Sequence, residues 1–305
     1  MSGSTLSPMR RRVAIPDPYS LAATLGPLQH GAYDPTVLFE GAIVWRAFRI
    51  GGAAVTVRYE RVAGGVDVDA WGEAAEEAID AAPATLGLDD DPSTYVPHHA
   101  MLKDLHRRHP GMRMTATAAI FEALIPAVLE QRVTGREATS AWAAIVRRYG
   151  EPAPGPAPLK VAPSPERLAT LPYSAMHPCG VERARADTIR RACSRAGRIR
   201  EAAAMTPADA RRRLRALPGI GVWTAAEVTR VTHGDADCVS VGDFHVKNVV
   251  AWALAGEPRG TDERMLELLA PEGGHRGRAV RLLEIAGIAP PAFGPRHRRR
   301  DIASL

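Results

Sequence analysis

The sequence has few cysteines and no long apolar run. Its three cysteines, Cys179, Cys193 and Cys238, form an odd and widely spaced set. Such a set argues against a disulfide framework and cannot supply the four thiolates of an iron–sulfur cluster. No paired Cys or His spacing suggests zinc. No apolar stretch reaches the ~18 residues of a membrane helix, and no apolar core of a signal peptide follows the N-terminus. We therefore expect no metal site of these kinds, no membrane association and a cytoplasmic protein.

Aromatic residues are also scarce, at 5% of the chain, but hydrophobic residues make up 46% of its 305 residues. That length and composition predict a globular chain with one large or two to three small domains. The formal charge is +5 and the pI is near 9.4, which favours a polyanionic partner but also fits a solvated surface. The arginines are clustered, in runs at 10–12, 107–108, 211–213 and 296–300.

The N-terminal third alternates strand and turn signals. Segments rich in β-branched and aromatic residues, at 42–50, 54–60 and 66–68, are separated by the pairs Gly51-Gly52 and Gly64-Gly65, which is typical of β-hairpins. Residues 74–82 then read as a helix. We expect a partly disordered segment over residues 1–30, its first dozen above all, and a small antiparallel sheet with a helix across one face over residues 31–112.

From residue 113 onward the sequence has the periodicity of helices. Phe121, Leu124, Ile125, Val128 and Leu129 share one helical face, and Pro126 is expected to kink that helix or to start a new one. The predicted fold class is therefore α+β. A small sheet-and-helix domain precedes an all-helical unit over residues 113–305, which is divided into two subdomains and ends in a basic tail over 290–305.

The segment from Leu217 to Asn248 contains the most specific pattern. In Leu-Pro-Gly-Ile-Gly, Pro218 stops one helix, Gly219 and Gly221 permit a tight turn, and a second helix starts at about residue 222. The predicted hairpin spans residues 207–231. Its second helix begins with free backbone N–H groups, which bind phosphate without any side chain. Further on, Asp243 is a single carboxylate within a mostly apolar run, residues 238–250.

The hairpin, the Trp223 that follows it and the Asp243 in a Gly-Asp-Phe context together resemble the helix–hairpin–helix Gly/Pro/Asp superfamily of DNA glycosylases. Among its branches the chain most resembles the AlkA-type 3-methyladenine DNA glycosylase II family. The resemblance implies base excision repair: a damaged base is flipped out of double-stranded DNA and its N-glycosidic bond is hydrolysed. It also implies a monomer acting at the nucleoid, with a monovalent cation possible at the hairpin carbonyls.

The resemblance implies that Asp243 is the catalytic group. A fixed carboxylate beside C1′ stabilises the oxocarbenium-like transition state and is able to activate the attacking water. Asp243 also precedes a helix and fits an N-cap. Both roles are compatible, because a capping position aims the carboxylate while leaving one oxygen free.

Trp223 stands where bifunctional members of the superfamily carry the lysine that forms a Schiff base. Because an indole cannot do so, we expect a monofunctional enzyme without lyase activity, although Trp223 also fits a core position. Trp223, Phe244, Glu227 and His275 are the predicted base pocket, which is more polar than the aromatic pockets of the family. Glu227 equally fits a surface pair with Arg230.

Two further groups are expected to meet DNA. Gln131 and Arg132 lie in a segment that resembles the family's Gln-x-Val/Ile-Ser/Thr wedge, whose side chains fill the hole left by the flipped base; an ordinary polar turn fits equally. Backbone N–H groups at Gly219 and Gly221 and the side chains of Arg276 and Arg278 are expected to hold phosphates.

The sequence predicts alkylated purines, such as N3- and N7-methylated bases, as substrates. Three alternatives remain open. Glu227 and His275 suggest a glycosylase for deaminated or bulky lesions; a non-catalytic DNA-damage-binding protein would keep the hairpin alone; and a glycosylase/lyase is disfavoured by Trp223.

Overall fold

The computed structural model describes residues 7–291 and begins with a five-stranded antiparallel sheet in the order β1-β5-β4-β3-β2. The strands are β1 Met9–Ala14, β2 Val37–Glu40, β3 Ile43–Ile50, β4 Ala53–Val62 and β5 Gly65–Gly72. The predicted Gly51-Gly52 hairpin is confirmed, because both glycines have positive φ, 60° and 104°, and Ile50 pairs with Ala53 across them. The turn at these two glycines therefore joins β3 to β4.

Strand β1 corrects the prediction of disorder for residues 9–12, while residues 1–6 lie outside the described residues. Its Arg10 and Arg12 side chains point outward and form ion pairs with Asp69 and Asp67 of β5, while Val13 is buried against Val66 in the core. A short edge strand with a charged outer face lacks the apolar alternation of a buried strand. Its pairing with β5 therefore could not be read from residues 9–12 alone.

The remaining described chain is mainly helical. The helices are α1 Leu21–Leu25, α2 Ala75–Thr85, α3 Ala100–Arg108, α4 Ile120–Leu129, α5 Gly135–Tyr149, α6 Pro165–Thr170, α7 Tyr173–Met176, α8 Arg183–Cys193, α9 Ala196–Arg200, α10 Pro207–Arg215, α11 Val222–Thr232, α12 Val246–Ala255, α13 Asp262–Leu269 and α14 Arg276–Ile285. Two short strands, β6 Glu151–Pro152 and β7 Lys160–Val161, form a separate pair. Helix α2 covers one face of the sheet through Ala75, Ala78, Ile79 and Ala82, as predicted. The α+β class is confirmed.

Helix α4 runs without interruption through Pro126, so the predicted start of a new helix there is wrong. Every residue of this helix except Glu122 is buried. Packing on all sides offsets the missing N–H of the proline, a case in which tertiary contacts outweigh local propensity. The next helix, α5, starts at a capping box formed by Thr134 and Glu137.

The apolar residues form two main cores. The first joins the sheet and α2 to α4, α5, α8, α10 and α11. The second joins α12, α13 and α14 to the segment around α3, where Leu102 and Leu105 are fully buried. The predicted boundary at residue 112 does not separate these cores, because α3 packs on α14. Residues 217–248 cross from the first core to the second, so the predicted site lies between them.

No helix within residues 7–291 is long and apolar enough to cross a membrane. The arginine run at 296–300 and most of the predicted basic tail lie outside the described residues.

Candidate active site

The hairpin between α10 and α11 depends on one glycine for its shape. Gly219 has φ 96°, and a Cβ at this position would lie 2.3 Å from Thr188 Oγ1, so only glycine fits. Gly221 differs: it is the N-cap of α11 with an ordinary φ of −92°, and an added Cβ would meet nothing within 4 Å. The predicted need for glycine in the turn therefore holds for Gly219, whereas Gly221 leaves open space beside a helix N-terminus.

Two side chains hold the hairpin carbonyls. Gln131 Nε2 donates to the carbonyl oxygen of Gly219 at 3.0 Å and to Thr224 Oγ1 at 2.9 Å. Arg191 Nη1 donates to the carbonyl oxygen of Pro218 at 2.7 Å. The carbonyl oxygens of Gly219 and Pro218 therefore already accept hydrogen bonds. A monovalent cation at the hairpin would use other carbonyls of the turn, and the cation itself stays a prediction.

Asp243 lies beside the start of α11. Its Oδ1 accepts hydrogen bonds from the backbone N–H groups of His245 at 2.7 Å and Val246 at 2.9 Å, and its Oδ2 accepts one from Trp223 Nε1 at 2.8 Å. The carboxylate thus caps α12 and is aimed at α11 at once. The expectation of one free oxygen was wrong, because Trp223 orients the second one.

Two contacts of the Asp262 side chain hold the loop that carries Asp243. Asp262 Oδ1 accepts a hydrogen bond from the backbone N–H of Gly242 at 3.0 Å, and Asp262 Oδ2 lies 3.5 Å from Lys247 Nζ. Sequence reasoning gave Asp262 no role beyond the first turn of α13. The contact joins residues far apart in sequence, and no local pattern announces it.

Glu227, one turn after Trp223 on α11, is held in a polar network. Its carboxylate accepts hydrogen bonds from the buried Ser240 hydroxyl and from Arg230 Nη2, the latter at 2.8 Å. Arg230 also lies 3.2 Å from Glu284, and the charge of Glu227 is the largest cause that raises the pKa of Arg230. The pair with Arg230 that the sequence left open is therefore the arrangement found.

Glu130 is a third carboxyl group near this site, and sequence reasoning did not single it out. It ends the apolar helix α4, directly before Gln131, and is partly buried. Burial above all, and then the negative charges of Glu227 and Asp243, raise the pKa of Glu130 to about 7, although Arg230 opposes the shift. Within residues 7–291 its side chain has neither a hydrogen bond nor an ion pair. An acidic residue closing an otherwise apolar helix was the available signal.

Comparison with known proteins agrees with this geometry. Residues 125–272, which include Glu130, the hairpin and Asp243, match the model of the HhH-GPD superfamily of base excision DNA repair proteins. The matched segment belongs to this superfamily. No curated protein sequence matches it significantly.

Solved structures of DNA glycosylases show the same fold. A 3-methyladenine DNA glycosylase from Archaeoglobus fulgidus is 18% identical and has a TM-score of 0.72; the match covers 90% of this chain and 97% of that chain. An 8-oxoguanine glycosylase/lyase from Clostridium acetobutylicum, solved with double-stranded DNA, is 14% identical with a TM-score of 0.64 and coverages of 87% and 90%. At these identities the likeness shows the fold alone.

Within the HhH-GPD fold, the two predicted wedge residues separate. The Gln131 amide is committed to the hairpin and to Thr224, so it positions the turn. Arg132 is exposed, has φ 57° and has no acidic partner among the described residues. A left-handed conformation at a residue other than glycine carries a strain of about 1–3 kcal/mol and is often found at functional positions. Of the two predicted wedge residues, Arg132 is therefore the one whose side chain is exposed to solvent.

The predicted base pocket is only partly assembled. Trp223 and Glu227 lie together on α11, but Phe244 is 73% exposed beside Asp243, with its ring 5.0 Å from that of His245. Phe244 is therefore a surface residue next to the carboxylate, and its place in a pocket stays a prediction.

Of His275, Arg276 and Arg278, only Arg278 has a position that contradicts the sequence analysis. His275 lies 3.1 Å from Thr94 Oγ1 and packs against the ring of Tyr95 at 5.0 Å, and its place in a base pocket stays a prediction. Arg278 is fully buried, where it forms an ion pair with Asp90 and donates to the Met112 carbonyl. Arg278 therefore cannot reach a phosphate. Arg276 is paired with Asp237, so a phosphate would have to compete for it.

The arginine runs are mostly neutralised by neighbouring acids. The pairs are Arg10–Asp69, Arg11–Asp80 and Arg12–Asp67 on the sheet, Arg107–Asp104 and Arg108–Asp104 on α3, and Arg211–Asp235, Arg212–Asp209 and Arg213–Glu201 on α10. By contrast, Arg132, Arg191 and Arg215, around the hairpin, have no acidic partner within the described residues. The arginines around the hairpin are therefore among those whose charge is left unpaired within residues 7–291, and the runs themselves did not reveal them.

Proposed function

We propose that the chain is a monofunctional DNA glycosylase that excises alkylated purines from double-stranded DNA by hydrolysing the N-glycosidic bond. The observation that carries this proposal is the Trp223–Asp243 hydrogen bond of 2.8 Å, which joins an oriented carboxylate to the indole at the hairpin. Superfamily membership supports the reaction class, and the partly buried Trp223 supports a flat, electron-rich surface for a cationic base. Its place of action would be the nucleoid.

Asp243 would act on the sugar rather than on the base. As the bond between C1′ and the base nitrogen lengthens, positive charge develops at C1′, and a fixed carboxylate stabilises it without having to reorganise. Hydrogen bonds from the His245 and Val246 N–H groups and from Trp223 keep the carboxylate in place. A water held by the same carboxylate is then positioned to attack C1′.

A monomer of the protein would hold DNA through the hairpin. The open space at Gly221 lets a phosphate approach the N-terminus of α11, where backbone N–H groups are free. Arg132, Arg191 and Arg215 would add positive charge around it, and exposed Arg132 would enter the gap left by the flipped base. Such contacts position the duplex and read no sequence.

The test is to incubate the protein with methylated and with deaminated genomic DNA and to identify the free bases by mass spectrometry. Release of 3-methyladenine or 7-methylguanine supports the proposal. Tight binding to lesion-bearing DNA without release of any base would instead support a non-catalytic damage-binding protein.

Borohydride trapping on the same DNA tests the monofunctional part. Because Trp223 cannot form a Schiff base, we expect no covalent band and an intact abasic strand. A trapped complex would contradict this and would direct attention to a lysine elsewhere in the chain.

A further inference from the structure

Ser240 joins Glu227 on α11 to the loop that carries Asp243. Its buried hydroxyl donates to Glu227 Oε1, and its carbonyl oxygen accepts a hydrogen bond from the backbone N–H of Asp243 at 3.1 Å. One residue therefore contacts both a side chain of the helix and the backbone of the candidate catalytic residue. A hydroxyl that donates to a carboxylate makes a charge-assisted hydrogen bond, which is among the stronger kinds in proteins.

Residues 240–243 are attached to α11 at two points. Asp243 Oδ2 accepts a hydrogen bond from Trp223 Nε1 at 2.8 Å. Ser240 donates to Glu227, which lies one helical turn, about 6 Å, after Trp223 on the same face. The later residue of the helix therefore bonds the earlier residue of the loop. One contact would leave the loop free to rotate about the indole, whereas two contacts fix the orientation of the carboxylate relative to α11.

Glu227 is itself held in place by ion pairs. Its Oε2 accepts a hydrogen bond from Arg230 Nη2 at 2.8 Å, and Arg230 Nη1 lies 3.2 Å from Glu284 Oε1 on α14. The side chains of Glu227 and Arg230 are 16% and 19% exposed, so solvent reaches little of the pair. These contacts fix the rotamer of Glu227 and, through it, the oxygen that is offered to Ser240.

The other contacts of the loop lead away from α11. Asp262 on α13 accepts a hydrogen bond from the backbone N–H of Gly242 at 3.0 Å, and Asp243 Oδ1 caps α12. Helices α12 and α13 belong to the second core. Within residues 7–291, the hydrogen bonds from residues 240–243 to α11 are those of Ser240 and Asp243. The distance between the loop and the hairpin helix therefore depends on these two residues.

We propose that Glu227 and Ser240 are positioning residues for the Asp243 carboxylate: Glu227 fixes Ser240, and Ser240 fixes the backbone of Asp243 beside Trp223. This inference rests on the proposed glycosylase function. It gives Glu227 a task that needs no contact with the flipped base. Misplacement of a reacting group by about 1 Å costs on the order of 10²-fold in rate. A loosened loop should therefore slow the chemical step without changing how tightly DNA is bound.

The experiment measures two quantities for each variant. They are the single-turnover rate of 7-methylguanine release from methylated DNA at saturating protein, and the dissociation constant for a duplex with an abasic site. Ser240→Ala removes the hydroxyl and leaves the backbone contact with Asp243 in place. We expect this variant to lower the rate by at least about tenfold and to leave the dissociation constant unchanged.

Two variants of Glu227 separate positioning from a merely structural role. Glu227→Gln keeps an oxygen for the Ser240 hydroxyl and should recover most of the rate that Glu227→Leu loses. Because both residues act through one hydrogen bond, Glu227→Leu combined with Ser240→Ala should be no slower than the slower single variant. Thr232→Val is the matched control. The Thr232 hydroxyl is buried on the same helix and donates to the Val228 carbonyl at 2.8 Å, so its loss should lower stability but not the rate.

Three results would overturn the inference. A rate for folded Ser240→Ala within about threefold of native would mean that its hydroxyl does not position Asp243. Additive losses in the double variant would mean that Glu227 and Ser240 act separately. A loss of rate matched by an equal loss of affinity for the abasic-site duplex would mean that the pair holds DNA. Failure of the proposed function is distinct, because the native chain would then release no base from methylated DNA. Circular dichroism shows that each variant is folded.

Discussion

Two segments of the molecule have similar glycine-containing turns but differ in how the arginines beside them are paired. Each passes through a pair of nearby glycines into the N-terminus of a helix: Gly219 and Gly221 into α11, and Gly273 and Gly274 into α14. Around the first, arginines lack acidic partners and an exposed helix end faces open space. Around the second, Arg278 is buried with Asp90 and Arg276 is paired with Asp237. The two turns therefore differ in whether the arginines beside them are already paired with acids.

Of the two segments, the one with the buried Arg278 should lose the most stability on mutation. Arg278→Met leaves the Asp90 carboxylate buried without its cation, and we expect a loss of about 3–5 kcal/mol in the free energy of unfolding. Chemical denaturation measures it. Adding Asp90→Asn should recover part of the loss, because the uncompensated charge is then gone. A loss below about 1 kcal/mol with DNA affinity reduced instead would return Arg278 to the DNA surface.

The two hairpin glycines offer a matched pair. Gly219→Ala forces a left-handed conformation on alanine and places its Cβ against Thr188, so we expect it to lose about 2–3 kcal/mol of stability. Gly221→Ala has an ordinary φ and open space. It should therefore keep the native stability and weaken DNA binding instead, because the new methyl group stands where a phosphate would approach. Equal effects on stability would show that the turn does not distinguish the two positions.

The Glu130 carboxyl group should reduce stability at high pH. The folded protein retains a proton that the unfolded chain releases, since the pKa of Glu130 is raised from 4.5 to about 7. Its contribution to the free energy of unfolding therefore falls as pH rises between those values. Glu130→Gln should be more stable than the native chain at pH 8 by roughly 3 kcal/mol and nearly equal to it at pH 4. Thermal unfolding at both pH values tests this, and an unchanged difference between them would contradict it.

The smallest expected effect is on DNA binding, and it compares exposed Arg132 near the hairpin with exposed Arg12 on the sheet. Arg132→Ala should weaken binding to duplex with an abasic site by about 1 kcal/mol, and binding to undamaged duplex less. Arg12→Ala, which removes a residue already paired with Asp67, should change neither. Fluorescence anisotropy measures both affinities. Equal weakening on the two duplexes would make Arg132 an ordinary phosphate contact.

Helices and turns could be predicted because their signals are local. The apolar face of α4 and the Gly51-Gly52 hairpin are each determined within a few residues. The link between the hairpin and Asp243 followed from a motif at family spacing. In these cases sequence and structure agree because the deciding contacts are short in sequence or are repeated across a superfamily.

The errors have a common physical cause, which is pairing over a long sequence separation. Arg278 and Asp90 are 188 residues apart, and nothing in Gly-His-Arg-Gly-Arg marks the arginine as buried. The same holds for β1, whose arginines read as disorder until Asp67 and Asp69 are placed opposite them. Glu130 was overlooked for a related reason, since its raised pKa comes from packing of α4 against residues near 227 and 243.

The central claim is that the Asp243 carboxylate, held by Trp223 at the hairpin, breaks the glycosidic bond. Its most direct test is the single-turnover rate of 7-methylguanine release by Asp243→Asn, with exposed Asp80→Asn as the control. Asparagine is also a good N-cap, so α12 should remain intact while the charge is lost. We predict a rate at least about 10³-fold below the native rate, which corresponds to about 4 kcal/mol, and no change in the control. A rate for Asp243→Asn within about tenfold of native, in a folded protein, would contradict the claim.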